Sequence, residues 1–149
     1  MPWLDKVKEP SDTKQFLEQQ LLRFQQLEAL HVTIFYQSQI AGVVGYNLID
    51  KDNHIGHIGY WLGQEYNGKG IMTKSVRELI QVGFDYYSLQ RIDIRCAVEN
   101  SRSRAIPERL NFQPEGIIRQ AEKLGDQYVD HVVYGLLKEE YTSKTSLNE

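Results

Sequence analysis

The order of elements between His54 and Val98 constrains this chain more than any other stretch. A β-rich run, His54 to Leu62, leads into the turn Glu65-Tyr66-Asn67-Gly68-Lys69-Gly70-Ile71-Met72-Thr73. Val76, Leu79, Ile80, Gly83, Phe84 and Tyr87 then recur at helical spacing, so a helix over 73–87 presents one apolar face. Next, Ile92, Ile94, Cys96 and Val98 alternate with Asp93, Arg95 and Ala97, the pattern of a half-buried strand. Strand, helix and strand joined in this way make a right-handed crossover between parallel neighbours. The turn then lies at the carboxyl end of a strand beside a parallel partner, where open α/β sheets bind ligands.

The chemistry of the turn suits a phosphate. Gly68 and Gly70 carry no Cβ, so the backbone can turn tightly and approach a ligand closely. The following helix offers unpaired N–H groups and the positive end of its dipole. Gly68-Lys69-Gly70-Ile71 lacks the Gly-Lys-Ser/Thr ending of a metal-assisted phosphate loop, and Met72-Thr73 stands where a dinucleotide fingerprint has its third glycine. Spacing alone leaves two readings open, a phosphate cradle and a tight strand-to-helix turn.

Around this unit the chain reads as a mixed sheet. Ser11 or Asp12 can cap a helix through about Leu30, with Phe16, Leu17, Leu21, Phe24 and Leu27 as its stripe. His31–Tyr36 and Ile40–Ile49 read as a hairpin about Gln37-Ser38-Gln39, and Lys51-Asp52-Asn53 as a polar turn. Asn100 to Leu110 forms a short helix in which Pro107 cannot donate to the Ser103 carbonyl, leaving it free or kinking the helix. Gly116–Leu124 and Tyr128–Leu137 bracket Gly125-Asp126, a hairpin signal, and a polar tail after Lys138 is expected to fray.

Composition narrows the class. With 149 residues, net charge -3, 41% hydrophobic and 25% charged residues, the chain fits one domain with a real core and no bulk electrostatic case for nucleic acid. One cysteine, Cys96, excludes an internal disulfide and suits a reducing cytoplasm. No apolar run reaches membrane-spanning length, and the start is not a signal peptide. No cluster of His, Cys and carboxylates has metal-ligand spacing, so no metal is expected.

Residues 56–73 resemble the acetyl-CoA motif of the GNAT N-acetyltransferases, and within them the RimJ/RimL-like branch that modifies protein N-termini. Asn100-Ser101-Arg102-Ser103, Glu108-Arg109-Leu110-Asn111-Phe112, Glu115-Gly116, Arg119-Gln120-Ala121-Glu122 and Asp130 to Leu137 resemble it as well, in consistent order. The resemblance implies an α+β fold: a mixed, mostly antiparallel sheet flanked by helices, one domain over residues 1–141 with a polar tail over 142–149. Members usually begin with a further strand and helix ahead of the Pro2-Trp3-Leu4 stretch, so the chain is expected to lack them or to continue upstream. Their absence would bare the edge of the His31–Tyr36 strand and invite a second copy, hence a homo-oligomer.

The implied activity is transfer of acetyl from acetyl-CoA to a primary amine by direct attack, the acceptor being a protein α-amino group such as a ribosomal protein N-terminus. Polyamines and aminoglycosides are alternative acceptors, and a non-catalytic acyl-CoA module or a mononucleotide-binding protein are alternative classes. By resemblance the pyrophosphate falls to the N–H groups of Gly68, Lys69, Gly70, Ile71 and Met72, with Thr73 nearby. The 58–62 strand would pair with the pantetheine, and a Trp61 or Leu62 N–H would face the thioester carbonyl. The side chains of Tyr60 and Trp61 are expected to pack in the core. Asn100 either bonds the CoA arm or caps its helix, its oxygen serving only one. Ser103 stands where the branch places a serine that protonates or stabilises the departing thiolate. Pro107 replaces the tyrosine that many members use as acid. Glu122 stands at the branch's general base, a role that a carboxylate fills through burial or a relaying water. His57 and His131 are fallback bases, Glu115 and Asp130 structural, and Cys96 core.

Overall fold

In a computed structural model describing residues 29–147, six strands form one sheet in the order β1-β2-β3-β4-β6-β5. The strands are β1 (Leu30–Tyr36), β2 (Gln39–Asp50), β3 (Ile55–Leu62), β4 (Arg91–Ala97), β5 (Gln113–Leu124) and β6 (Gln127–Leu137). Helix α1 (Ile71–Asp85) crosses from β3 to β4, α2 (Ser101–Arg109) links β4 to β5, and α3 (Lys138–Leu147) follows β6. The helix expected over residues 11–30 falls outside the described residues except at its end, where Leu30 already belongs to β1.

Local chemistry accounts for the connections. Gln37 and Ser38 both adopt positive φ (50° and 66°), which gives the two-residue β1–β2 turn the twist of its strands. The Asp50 carboxylate accepts the N–H groups of Asp52 and Asn53 and closes the next turn. Strands β3 and β4 are parallel, as the crossover requires, and every other pairing is antiparallel. Helix α1 lays Met72, Val76, Leu79, Ile80, Gly83 and Phe84 on the sheet, beginning two residues earlier than its apolar periodicity suggests. Tyr46, fully buried, donates its hydroxyl to the Leu79 carbonyl (2.7 Å) and ties β2 to that helix.

After Lys138 the chain is helical, where a frayed tail was expected. Glu140 accepts the Leu137 N–H (2.9 Å), capping the helix start, and also the Gln113 side chain. Tyr141 stacks on Phe84 with centroids 4.8 Å apart, so an apolar anchor holds α3 against the body. No helix among the described residues is long and apolar enough to cross a membrane.

One feature of the sheet positions everything else. Pairing between β3 and β4 runs only from Ile55↔Arg91 to Ile58↔Ile94, although both strands continue. Beyond that point β3 stays paired to β2 as far as Leu62↔Gly42, and β4 to β6 as far as Ala97↔His131. The two central strands therefore part at their carboxyl ends and leave an opening through the sheet.

Candidate active site

The glycine-rich turn has an anion-binding geometry. Gly68 (φ 81°) and Gly70 (φ 72°) are left-handed, and a Cβ on either would meet nothing within 4 Å. The backbone conformation, not crowding, requires glycine here. Gly70 is the N-cap of α1 and brings no side chain to it, and the first N–H to bond back is that of Lys74, to the Gly70 carbonyl (3.1 Å). The preceding donors face a cavity of about 500 Å³ walled by Gly68, Gly70, Ile71, Met72 and Thr73. Arg102 and Arg109, from α2, line its far side. Lys69 does not line it; its ammonium lies 5.7 Å from the Tyr36 ring centroid.

The cavity continues into the opening between β3 and β4. A space of about 400 Å³ shares Leu62, Asn67, Met72 and Arg102 with the cradle and adds Tyr60, Asn100 and Ser103. The Gly63 N–H donates to the Ala41 carbonyl (2.7 Å), toward β2. Strand alternation turns the Trp61 N–H the same way and the Leu62 N–H toward the opening. Of the two expected donors, Leu62 therefore faces the cleft. Trp61 is 64% exposed, which corrects the expectation of core packing: its indole stands on the open face of the sheet, which α1 does not cover.

Tyr60, Ser103 and Cys96 meet at the centre of the opening. The Tyr60 hydroxyl donates to the Ser103 carbonyl (2.7 Å), while the Ser103 hydroxyl lies 3.4 Å from both the Tyr60 oxygen and the Cys96 sulfur. Burial, reinforced by the neighbouring Cys96, holds the Tyr60 phenol far above its ordinary range, so it is a neutral donor throughout the working pH range. Tyr60 packs against the core yet carries this polar tip. Asn100 is the N-cap of α2, its Oδ1 accepting the Ser103 N–H (3.1 Å), which leaves its amide hydrogens for a ligand. Cys96 is 2% exposed, as a core residue should be.

Pro107 explains why Tyr60 sits there. Lacking an N–H, it leaves the Ser103 carbonyl without its intrahelical donor, and the Tyr60 hydroxyl fills that place. The carbonyl is neither free nor the seat of a break in the helix. Replacing Tyr60 with phenylalanine should cost about 1–3 kcal/mol, the usual penalty for orphaning a polar group away from water. In a Pro107→Ala background the restored amide can bond the carbonyl, and the same substitution should then cost less. Urea unfolding of the four proteins tests this coupling, and strict additivity would refute it.

A larger cavity of about 740 Å³ opens on the other face of the sheet and shares Tyr60, Trp61, Asn100 and Ser103 with the cleft. Glu122 reaches it because β5 bulges: Ile118 pairs with His131 and Glu122 with Val129, four steps on β5 against two on β6. Asp130 pins the bulge by accepting the Gln120 N–H (2.8 Å), the structural part expected of it. Glu122 is 3.0 Å from His131 Nε2, its side chain 47% exposed. On β3, His57 Nδ1 lies 2.5 Å from Asp93, which is 4% exposed and takes a second bond from Arg91 (3.3 Å). Glu115 holds Arg91 in turn (2.9 Å), again a structural role.

The predicted residues thus assemble along one path: cradle, cleft and open-face cavity, with Ser103 on both sides of the gap. Of the turn residues expected to hold the pyrophosphate, Lys69 lines none of the three cavities. Arg102, Arg109 and Asp93 are additions. The arginines carried a signal in their seven-residue spacing on α2, which puts both on one helix face. Asp93 carried none, since a carboxylate in an alternating strand reads as solvent-facing.

An anion cradle leading through a split sheet to a polar cavity suits an acyltransferase, and the family to which the chain belongs makes it one. The Acetyltransferase (GNAT) domain model matches residues 1–113, and the chain belongs to that family, in its RimJ/RimL-like branch. It is 32% identical over 132 residues to the ribosomal-protein-serine acetyltransferase of Escherichia coli (strain K12), covering 89% of this chain and 74% of that one. Its fold resembles the microcin C7 self immunity acetyltransferase MccE in complex with acetyl-CoA and AMP, with a TM-score of 0.72, 36% identity, and 91% and 79% of the two chains covered. It also resembles RimL, the ribosomal L7/L12 alpha-N-protein acetyltransferase in complex with coenzyme A, with a TM-score of 0.73, 32% identity, and 85% and 71% covered.

Proposed function

We propose that this N-acetyltransferase moves the acetyl group of acetyl-CoA to the α-amino group at a protein N-terminus, by direct attack of the amine. The observation that carries the reading is the opening between β3 and β4, which joins a phosphate cradle on the helix side to a polar cavity on the other face. The diphosphate would take the N–H groups from Gly68 to Thr73 and the charge of Arg102 and Arg109. The pantetheine would run along the unpaired edge of β3, with the Leu62 N–H at the thioester carbonyl and Asn100 beside the arm. That donor would stabilise the oxyanion formed on attack. Ser103 would serve the departing sulfur, and Glu122, opposite, would receive the acceptor's positive charge.

Mixed charge in the acceptor cavity supports a peptide over a polycation. Asp93 and Glu122 share the cavity with Arg95 and three histidines, His31, His57 and His131. A spermidine or aminoglycoside would favour an acidic cleft and gains little from Arg95. The two ribosomal-protein relatives point the same way by their own stated acceptors.

The test is release of free CoA thiol from acetyl-CoA in the presence of serine- and alanine-initiated peptides, spermidine and kanamycin, with mass spectrometry of the product. Acetylation at the peptide α-nitrogen, and none of a peptide blocked there, is the expected result. Turnover confined to spermidine or kanamycin would overturn the acceptor assignment. Normal acetyl-CoA binding with no turnover on any amine would favour a non-catalytic module.

A further inference from the structure

We propose that His57, oriented by Asp93, is the proton acceptor for the incoming ammonium, and that Glu122 holds this ammonium without being its base. The inference rests on the acetyltransferase reading above and assigns the proton step within it. His57 lies on β3 one residue before the strands part, and it lines the same cavity as Tyr60, Trp61, Asn100 and Ser103.

The hydrogen-bond geometry decides the tautomer. An ionised carboxylate only accepts, so His57 Nδ1, 2.5 Å from Asp93 Oδ1, carries the proton. In the neutral ring Nε2 then keeps its lone pair, and it has no partner among the described residues. Asp93 is itself fixed, buried and clamped by Arg91, which Glu115 braces. The His57 side chain is 29% exposed against 6% for Asp93, so the ring meets the cavity while its partner does not. A neutral imidazole with a free ring nitrogen can take a proton from an ammonium within hydrogen-bond reach. Glu122 is already paired with His131 and half in water. Asp93 here is a positioning residue, and His57 the one that meets the substrate.

The ammonium gives one proton to His57 Nε2, and the freed amine nitrogen bonds to the thioester carbonyl carbon. As the tetrahedral adduct collapses, the carbon–sulfur bond breaks and the nitrogen loses its second proton, which reaches the sulfur by way of the Ser103 hydroxyl. His57 releases its proton to water in the open cavity. Net, acetyl-CoA and an ammonium yield an amide, CoA thiol and one proton.

Variants of the full chain with acetyl-CoA and a serine-initiated peptide test this. His57→Gln, which can still donate to Asp93, should lower kcat by about a hundredfold while leaving the acetyl-CoA KM within about twofold. Activity should recover as rising pH supplies free amine. Asp93→Asn should lower kcat by about tenfold and shift the pH profile. Among the described residues, the other titratable and charged groups around His57 are Arg91 and Arg95 on β4, Asp50 on β2, His31 on β1, Glu122 on β5 and His131 on β6, and they are unchanged in the His57 variant. Imidazole nitrogen NMR of the unliganded protein gives a readout independent of turnover. It should show His57 protonated at Nδ1, and Asp93→Asn should abolish that signature. A His57 protonated at Nε2, or a His57→Gln enzyme with the wild-type kcat and pH profile, would overturn the proposal. Absence of any amine turnover by the wild type would instead sink the acetyltransferase reading, and this proposal with it.

Discussion

Acetyl-CoA affinity should fall by about a thousandfold in a Gly70→Glu variant that still folds. Gly70 caps α1 at φ 72°, and a Cβ there meets no atom within 4 Å, so the new side chain displaces nothing. The conformation costs the protein about 1–2 kcal/mol, the penalty of a left-handed non-glycine residue. The larger effect is on the ligand. A carboxylate held about 4 Å from a phosphate at an effective dielectric near 20 is opposed by about 4 kcal/mol, or roughly three decades of affinity. Gly70→Asn separates the two causes, because asparagine tolerates left-handed backbone and adds no charge. It should keep most of the affinity. Gly68→Pro should also abolish binding, since proline cannot adopt the φ of 81° found at that position. Calorimetric titration with CoA measures all three, and undiminished affinity in the glutamate variant would place the diphosphate elsewhere.

The sequence and the structure agree at three places where local pattern determines the outcome. The apolar face of α1, the Gly125-Asp126 turn between β5 and β6 and the parallel crossover were all legible, because period, turn chemistry and handedness act over short distances. The separation of β3 from β4 was not legible. Neither strand departs from its alternation at Gly59 or Arg95, and the split depends on what each strand keeps pairing with on its outer side. Trp61 is exposed where core packing is expected of a strand aromatic, because cover depends on what packs on that sheet face and not on the strand's own pattern. Pro107 was half legible. Its effect on the Ser103 carbonyl follows from proline's missing N–H, but the replacement donor comes from Tyr60, 43 residues away in sequence. Glu122 reaches the cavity through a bulge that no local signal announces, and Asp93 finds His57 only once two strands pair in parallel.

The second large effect is expected of Ser103→Ala, with kcat reduced by about a hundredfold or more. The substitution is structurally conservative, because the two bonds that Ser103 contributes to the fold come from its backbone. Its N–H is bound by Asn100 and its carbonyl by Tyr60. The hydroxyl has only long contacts, 3.4 Å each, to Tyr60 and Cys96, so removing it strands no strongly bonded partner. A serine hydroxyl is too weak an acid to protonate a thiolate outright. It can act as a relay, giving its proton to the sulfur while taking the one that the attacking nitrogen must lose, and its place on both sides of the gap suits that exchange. The acetyl-CoA KM should therefore hardly change, since on the proposed role the hydroxyl would bond the sulfur only as charge develops on it. A Ser103→Thr variant keeps the hydroxyl and should retain much of the rate. The neutral Tyr60 phenol is the rival donor, but its proton is committed to the Ser103 carbonyl. Steady-state kinetics decide between them. If Ser103→Ala keeps its kcat and Tyr60→Phe loses it, the relay runs through the tyrosine.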